Sequence, residues 1–197
     1  MIRLGLTGSI GMGKSTTARM FAEEGCALWD ADAAVHRLYA SGGAAVEPIG
    51  AAYPDAVEDG AVSRAALRGI IARDPQALKR IEEIVHPLVA QDRAEFLDRT
   101  EADIVVLDIP LLFETGGERE MDAVACVTVS AEEQERRVLA RSSMTREEFR
   151  QIRDNQMPDA EKRARSDFVI ETDTLEHARA QVQAVVETLR RGWQRNA

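Results

Sequence analysis

A glycine-rich segment near the start of the chain constrains the possible fold more than any other feature. Residues 8–15 read Gly-Ser-Ile-Gly-Met-Gly-Lys-Ser, which fits a glycine, four residues of any type and then Gly-Lys-Ser or Gly-Lys-Thr. A largely apolar run at residues 2–7 predicts a buried strand, and a helix is expected over about residues 14–24. A ligand-free glycine turn could share these letters, but the flanking strand and helix favour a loop that binds phosphate.

Each part of this loop has a chemical role. Glycine permits positive φ and lets backbone N–H groups approach phosphate oxygens, while the helix that follows directs its positive N-terminal end at the same anion. Lys14 is expected to reach the β- and γ-phosphates of ATP, and the Ser15 hydroxyl to bind Mg²⁺. The predicted phosphate-binding residues are Gly8, Ser9, Ile10, Gly11, Met12, Gly13, Lys14, Ser15 and Thr16.

Short apolar runs alternate with helical patterns along the rest of the chain. Further strands are predicted at residues 26–29, 104–107, 123–129 and 168–170. Helices are predicted over residues 131–165 and 175–193, and residues 33–99 form a mostly helical stretch punctuated by Pro48, Pro54, Pro75 and Pro87. This order predicts an α/β fold in three layers, a P-loop NTPase-type core with a parallel sheet, and a helical insertion.

Bulk composition limits the class of protein. A chain of 197 residues suits one compact domain with insertions, and its net charge of -9 argues against broad nucleic-acid binding. Neither a leader segment nor an apolar run of about 20 residues is visible, so we expect a cytoplasmic protein without a membrane partner. Cys26 and Cys126 lie in apolar runs without metal-ligand spacing and are expected to be structural thiols.

Carboxylates follow two of the predicted strands. Asp30 and Asp32 come after the second strand, where one of them could take a proton from an acceptor hydroxyl. Capping of the next helix is the alternative for Asp32, and the two aspartates could divide these roles. Asp108 ends the strand at residues 104–107 and could hold Mg²⁺, or could be a turn residue. Residues 109–114 after it are unusually apolar for a loop and could line an acceptor pocket or cover the sheet.

A basic segment stands out in this acidic chain. Its members are Arg136, Arg137, Arg141, Arg146, Arg150, Arg153, Lys162, Arg163 and Arg165. Such a segment could close over a triphosphate, or it could be a solvated face paired with nearby glutamates. Arg141 is the preferred candidate for the transferring phosphate, because residues 142–145 are expected to end its helix. The three histidines are scattered and predict no metal site.

The combined motifs resemble the dephospho-coenzyme A kinase family. The resemblance rests on residues 5–15, on Asp30-Ala31-Asp32 followed by His36, on Val85-His86-Pro87-Leu88-Val89, on residues 108–114 (Asp-Ile-Pro-Leu-Leu-Phe-Glu), on residues 134–141 and on Gln156-Met157-Pro158. It extends over residues 2–170. The phosphate loop is shared by many kinases, so the order and spacing of the later motifs make the resemblance specific.

The resemblance implies an ATP- and Mg²⁺-dependent kinase of the last step of coenzyme A synthesis. Such an enzyme transfers the γ-phosphate of ATP to the ribose 3′-hydroxyl of dephospho-coenzyme A. It implies a core of residues 1–32, 99–135 and 166–197, an acceptor-binding domain of residues 33–98 and a lid of residues 136–165. It favours Asp32 as the base, with Lys14 and Arg141 acting on the phosphates. The implied acceptor-binding residues are Thr7, Asp32, His36, His86, Pro110 and Leu111, the metal-binding residues are Ser15 and Asp108, and the implied assembly is a monomer or weak homo-oligomer.

Two residues and one stretch depart from the family pattern. Ser9 stands where the family usually has glycine, and Met12 stands where it usually has a small residue. Met12 is bulkier and could shield the phosphates. Residues 170–175 replace a stretch that commonly carries asparagine and glycine.

Two other functions compete with the one that the resemblance implies. Another small-molecule kinase would have the same loop, and an NTP-dependent switch would hydrolyse nucleotide without an acceptor. The long insertion and the basic segment favour an enzyme with a second substrate.

Overall fold

The computed structural model describes residues 1–141 and 144–193. The chain divides into two compact units. The core unit contains residues 1–29 and the described residues from 101 onward, and the helical unit contains Asp30–Thr100.

The strands and helices follow the alternation predicted for an α/β protein. The strands are β1 (Ile2–Thr7), β2 (Ala27–Asp30), β3 (Val57–Glu58), β4 (Ala61–Val62), β5 (Ile104–Asp108), β6 (Ala123–Thr128) and β7 (Phe168–Glu171). The helices are α1 (Lys14–Glu23), α2 (Ala31–Tyr39), α3 (Val46–Ala52), α4 (Arg64–Arg73), α5 (Ala77–Arg99), α6 (Ala131–Arg141), α7 (Arg146–Asp154), α8 (Asp159–Arg165) and α9 (Leu175–Arg190). The basic segment thus forms three helices.

The core unit is built on a five-stranded sheet in the order β2-β5-β1-β6-β7. The β1–β5, β1–β6 and β6–β7 pairs are parallel, which confirms the predicted α/β fold with a parallel sheet. Leu6 pairs with Asp108, so the carboxyl ends of β1 and β5 stop at the same edge of the sheet. That edge is where ligands bind in open parallel sheets.

Buried apolar side chains explain why these strands are central. Every residue of β5 and β6 is buried, as expected for a parallel sheet covered on both faces. Phe21 of α1 and Val182 of α9 join the sheet residues Leu4 and Val106 in one apolar cluster. Both cysteines are buried and free. Among the described helices, none combines the length and apolar character needed to cross a bilayer.

The helical unit contains two features that the sequence analysis missed. Strands β3 and β4 form an antiparallel pair around Asp59 and Gly60, whose φ values of 49° and 75° are those of a tight hairpin turn. Pro87 lies inside α5 and does not end it, contrary to the expectation that this proline punctuates the helical stretch. The unit has its own core, which includes Leu38, Ile49 and Ile81.

Candidate active site

The phosphate loop of the core unit has the backbone geometry that its sequence predicts. Gly11 and Gly13 have φ values of +78° and +89°, and Gly13 is the N-cap of α1. A Cβ on Gly8 would lie 2.3 Å from Cγ2 of Val127, so this glycine is needed for close packing against β6. The loop joins the end of β1 to the N-terminus of α1, where N–H groups and the helix dipole favour an anion.

Lys14 and Asp108 are joined by an ion pair at this end of the sheet. The side chain of Asp108 is only 1% exposed, and that of Lys14 is 15% exposed. The strand end is therefore in contact with the phosphate loop, which a simple turn residue would not require. The charge of Lys14 is thus directed at the Asp108 carboxylate at this edge of the sheet.

Two glutamines brace the loop at Ile10. Gln134 of α6 donates its side-chain amide to the Ile10 carbonyl at 2.7 Å, and the side-chain carbonyl of Gln156 accepts from the Ile10 N–H at 3.1 Å. Gln134 is buried. In the sequence, Gln134 and Gln156 are only members of the family motifs, and nothing signals this role, because a neutral side chain carries no charge pattern.

Met12 packs inward rather than over the loop. Its side chain is 3% exposed and its Sδ accepts a hydrogen bond from the Val129 N–H at 3.2 Å. The expectation that Met12 shields the phosphates was therefore wrong: the apolar core accommodates the extra length of this side chain.

Thr172 ties the carboxyl end of β7 to the loop. Its hydroxyl donates to the Met12 carbonyl at 2.8 Å and accepts from Arg137 at 2.9 Å. Arg137 also donates to the Thr172 carbonyl at 2.6 Å. The stretch that departs from the family pattern thus supports the loop through Thr172.

Most of the basic segment is paired with carboxylates, as the alternative interpretation proposed. Arg136 and Arg137 both bind Glu133, and these hydrogen bonds lower the pKa of its carboxyl from 4.5 to about 2. The other pairs are Arg146 with Glu135, Arg153 with Asp154, Arg163 with Asp159 and Arg165 with Glu118. Lys162 is fully buried and binds Glu114, so it does not face a triphosphate.

Arg141 differs from these arginines. It is exposed at the last residue of α6, and no carboxylate partner is seen for it within residues 1–141 and 144–193. The serines expected to end its helix, Ser142 and Ser143, lie outside the described residues.

Two clefts of the core unit border the loop. The larger, about 880 Å³, borders Ser9, and its arginines are the paired Arg153 and Arg163. The smaller, about 380 Å³, is lined by Gly13, Thr16, Arg137, Arg141 and residues 172–175. The larger cleft contains Ser9 and Met12 and the smaller one Gly13 and Thr16, so both border residues predicted to bind phosphate.

The loop after β5 covers the sheet with some of its residues and exposes others. Leu112 and Phe113 are buried and cover the sheet, whereas Leu111 is 43% exposed. The Pro110 carbonyl accepts from the Thr7 hydroxyl at 3.0 Å. Thr7, Pro110 and Leu111 are thus close together beside the phosphate loop.

The remaining predicted residues belong to the helical unit. Asp30 caps α2, because its carboxylate accepts from the Ala33 N–H at 2.9 Å. Asp32 is exposed in the first turn of α2, and His36 is exposed one turn later. His86 is exposed on α5. The capping role thus falls to Asp30.

The candidate metal ligands are dispersed. The described residues contain no cluster of three or more histidine, cysteine, aspartate or glutamate side chains that could hold an ion by itself. Mg²⁺ does not need one, because it is usually held by one or two protein oxygens together with substrate phosphates and water. The hydroxyl of Ser15 and the carboxylate of Asp108 are oxygen donors of this kind and fit Mg²⁺.

Comparison with known proteins identifies the family. The family model described as dephospho-CoA kinase matches residues 2–177. A dephospho-CoA kinase of Ruegeria pomeroyi is 73% identical over 190 residues, which cover 96% of each chain. The chain belongs to the dephospho-CoA kinase family. It is therefore a kinase of coenzyme A biosynthesis, as the sequence motifs predict.

Solved structures have the same fold as this chain. A Thermus thermophilus protein of known crystal structure is 37% identical, with a TM-score of 0.86 over 95% of this chain and 97% of that one. A dephospho-CoA kinase from Campylobacter jejuni has the same fold, with a TM-score of 0.70 at 24% identity over 96% of this chain and 98% of that one.

Proposed function

We propose that this chain transfers the γ-phosphate of ATP to the 3′-hydroxyl of the ribose of dephospho-CoA, which gives coenzyme A and ADP. The observation that carries the proposal is the Lys14–Asp108 pair beneath a complete phosphate loop, in a member of the dephospho-CoA kinase family. Transfer to a hydroxyl requires three things of the protein: a held triphosphate, an oriented acceptor and a group that takes the hydroxyl proton.

Residues 8–16 hold the triphosphate. Their N–H groups surround the phosphate oxygens, and Lys14 exchanges its contact with Asp108 for the β- and γ-phosphates. Ser15 and Asp108 would hold Mg²⁺, which would neutralise charge on the β- and γ-phosphates. Arg141 stabilises the transferring phosphate, because it lines the same cleft as Gly13 and is not engaged by a described carboxylate.

The acceptor is bound by Thr7, Asp32, His36, His86, Pro110 and Leu111. Asp32 takes the proton of the 3′-hydroxyl as the phosphate transfers. Support for this assignment comes from its exposure and from the capping of α2 by Asp30, and the described residues show no partner for the Asp32 carboxylate. The exposed Leu111 offers an apolar contact beside Thr7 and Pro110.

Residues 33–98 form the acceptor-binding domain and residues 136–165 the lid in this proposal. The enzyme works in the cytoplasm, as a monomer or weak homo-oligomer, on ATP and dephospho-CoA, without a nucleic-acid or membrane partner. Light scattering during gel filtration, with and without both substrates, tests the assembly: a stable dimer at micromolar concentration would contradict it.

ADP release by the purified chain tests the reaction. It is measured with Mg²⁺-ATP in the presence and absence of dephospho-CoA, and the product is identified by mass and by the position of the new phosphate. We expect strong acceptor dependence and one phosphate on the ribose 3′-oxygen. ATP turnover without acceptor dependence would contradict the proposal and favour a nucleotide-dependent switch.

A further inference from the structure

A buried lysine outside the phosphate loop joins three segments of the core unit. Lys162 of α8 has no exposed surface, and its Nζ donates to Glu114 Oε1 at 2.8 Å and to the Pro110 carbonyl at 3.2 Å. A charge is rarely buried to this extent unless it is paired and hydrogen-bonded, because removing it from water costs several kcal/mol. The partners of Lys162 therefore show what the charge is used for.

One partner places Lys162 next to the proposed acceptor contacts. The Pro110 carbonyl oxygen accepts a hydrogen bond from the Lys162 ammonium at 3.2 Å and one from the Thr7 hydroxyl at 3.0 Å. Thr7 is the last residue of β1, directly before the phosphate loop. Pro110 is thus fixed from both sides, and Leu111 follows it in the chain.

The other partner connects Lys162 to the segment after α7. Glu114 Oε1 also accepts from the Met157 N–H at 2.9 Å, and the neighbouring Gln156 binds the Ile10 N–H. Burial alone would raise the pKa of Glu114, but the hydrogen bonds from Lys162 and Met157 outweigh it and lower that pKa. The carboxylate is therefore held in its charged form.

These contacts form a closed ring. Starting at the phosphate loop, it runs through Ile10, Gln156, Met157, Glu114, Lys162, Pro110 and Thr7 and returns to the loop. Lys162 is the one side chain of the ring that binds the segment after β5 at two points. A shift of that segment relative to the phosphate loop must break at least one of these bonds.

We propose that Lys162 is a positioning residue for the phosphate acceptor. It fixes Pro110 and Leu111 relative to the phosphate loop, so that a bound acceptor hydroxyl meets the γ-phosphate in line. The inference rests on the proposed function, in which Pro110 and Leu111 contact dephospho-CoA. Misplacement of a reacting group by about 1 Å can cost about 10²-fold in rate. Loss of the buried hydrogen bond between Lys162 and Pro110 is therefore expected to slow phosphate transfer.

The test compares substrate constants in Lys162→Met. We expect kcat/KM for dephospho-CoA to fall about 10-fold to 100-fold, while the dissociation constant of an ATP analogue stays within about twofold because the phosphate loop keeps Lys14 and Asp108. Arg191→Met is the control, because Arg191 is a 79% exposed arginine of the core unit that pairs with Glu187 and lies outside the lid and both clefts. It should keep both constants.

A second variant separates positioning from folding. Lys162→Met leaves Glu114 charged and without its ammonium partner, which can destabilise the fold. Lys162→Met with Glu114→Gln removes both charges, so we expect the melting temperature to recover but kcat/KM for dephospho-CoA to remain low, since the bond to Pro110 is still absent. Wild-type kinetics in this folded double variant would overturn the inference, as would equal losses for ATP and acceptor in Lys162→Met. Failure of the wild-type chain to phosphorylate dephospho-CoA would instead overturn the proposed function.

Discussion

Gln134 and Ile10 are joined by a 2.7 Å hydrogen bond that fastens α6 to the phosphate loop. Gln156 binds the N–H of the same Ile10, so the loop is held by one donor and one acceptor from the segment after β6. A loop held in this way is preorganised for phosphate before ATP arrives, which lowers the ordering cost of binding.

Replacing Gln134 tests this brace. Gln134→Ala leaves the Ile10 carbonyl without its partner, so we expect a loss of about 1–3 kcal/mol in the free energy of unfolding and weaker ATP binding. Denaturant unfolding and titration with an ATP analogue measure the two effects. Gln151→Ala, at an exposed position of α7, is the control and should change stability by less than about 0.5 kcal/mol. Unchanged ATP affinity in a less stable Gln134→Ala would contradict preorganisation.

Removal of the Lys14 ammonium tests the catalytic use of the phosphate loop. Lys14→Ala should lower turnover by about 10²-fold or more, because a preorganised positive group no longer meets the developing charge. Lys79→Ala, which removes an 82% exposed lysine of the helical unit, should leave turnover unchanged. The comparison is made from steady-state rates at saturating ATP, and near-normal turnover in Lys14→Ala would exclude this lysine from the mechanism.

The two aspartates at the start of α2 should separate into a structural and a chemical residue. Asp32→Asn should lower kcat by about 10²-fold or more, with little change in melting temperature or ATP binding. Asp30→Asn should remain stable because asparagine also caps helices, whereas Asp30→Ala should lose about 1 kcal/mol. Thermal melts and turnover are measured on all three. If Asp32→Asn had a much lower melting temperature but normal turnover per folded molecule, the role of Asp32 would be structural.

The carboxylate of Glu133 predicts a pH-dependent contribution to stability. Its pKa in the folded protein is about 2, below the ordinary value of 4.5, because Arg136 and Arg137 donate hydrogen bonds to it. A lowered pKa stabilises the folded state above pH 4.5, and this contribution disappears as the pH falls toward 2. The difference in unfolding free energy between the wild type and Glu133→Gln should therefore be constant near pH 7 and shrink below pH 4.5.

The control for that titration is Glu132→Gln. It removes a carboxylate from the same turn of α6, for which the described residues show no ion pair. Denaturant unfolding is followed at several pH values at low salt, since screening weakens such exposed pairs. If the difference in unfolding free energy between the wild type and Glu133→Gln stayed constant down to pH 2, this would contradict the role given to the two arginines.

The core strands and the phosphate loop could be predicted because their signals are local. Runs of apolar residues mark β1, β5 and β6, and a glycine pattern before Lys14 marks the loop. The β3–β4 hairpin was missed because two-residue strands show no periodicity, although Asp59-Gly60 is a typical hairpin turn. Pro87 was misread because tertiary packing of α5 outweighs the local cost of an interior proline.

The contacts that organise the site were harder to infer. The surroundings of Lys162 read Ala-Glu-Lys-Arg-Ala-Arg, which is typical of a solvated helix, and only the fold shows that this lysine faces Glu114. Lys162 is buried by residues such as Pro110, which lies about fifty positions away in the chain. Local sequence patterns contain no information on such distant partners.

The close approach of α6 to Gly11 makes the phosphate-binding motif depend on residues outside its eight positions. Gly11 is the third of the four positions that the motif leaves free, yet a methyl group there would lie 2.5 Å from Cγ2 of Val138. In this chain, helix α6 therefore restricts which side chains fit at position 11. Grafting the eight residues onto another scaffold would therefore transfer an incomplete motif, because the residue allowed at position 11 depends on a valine of another helix as well as on its own positive φ.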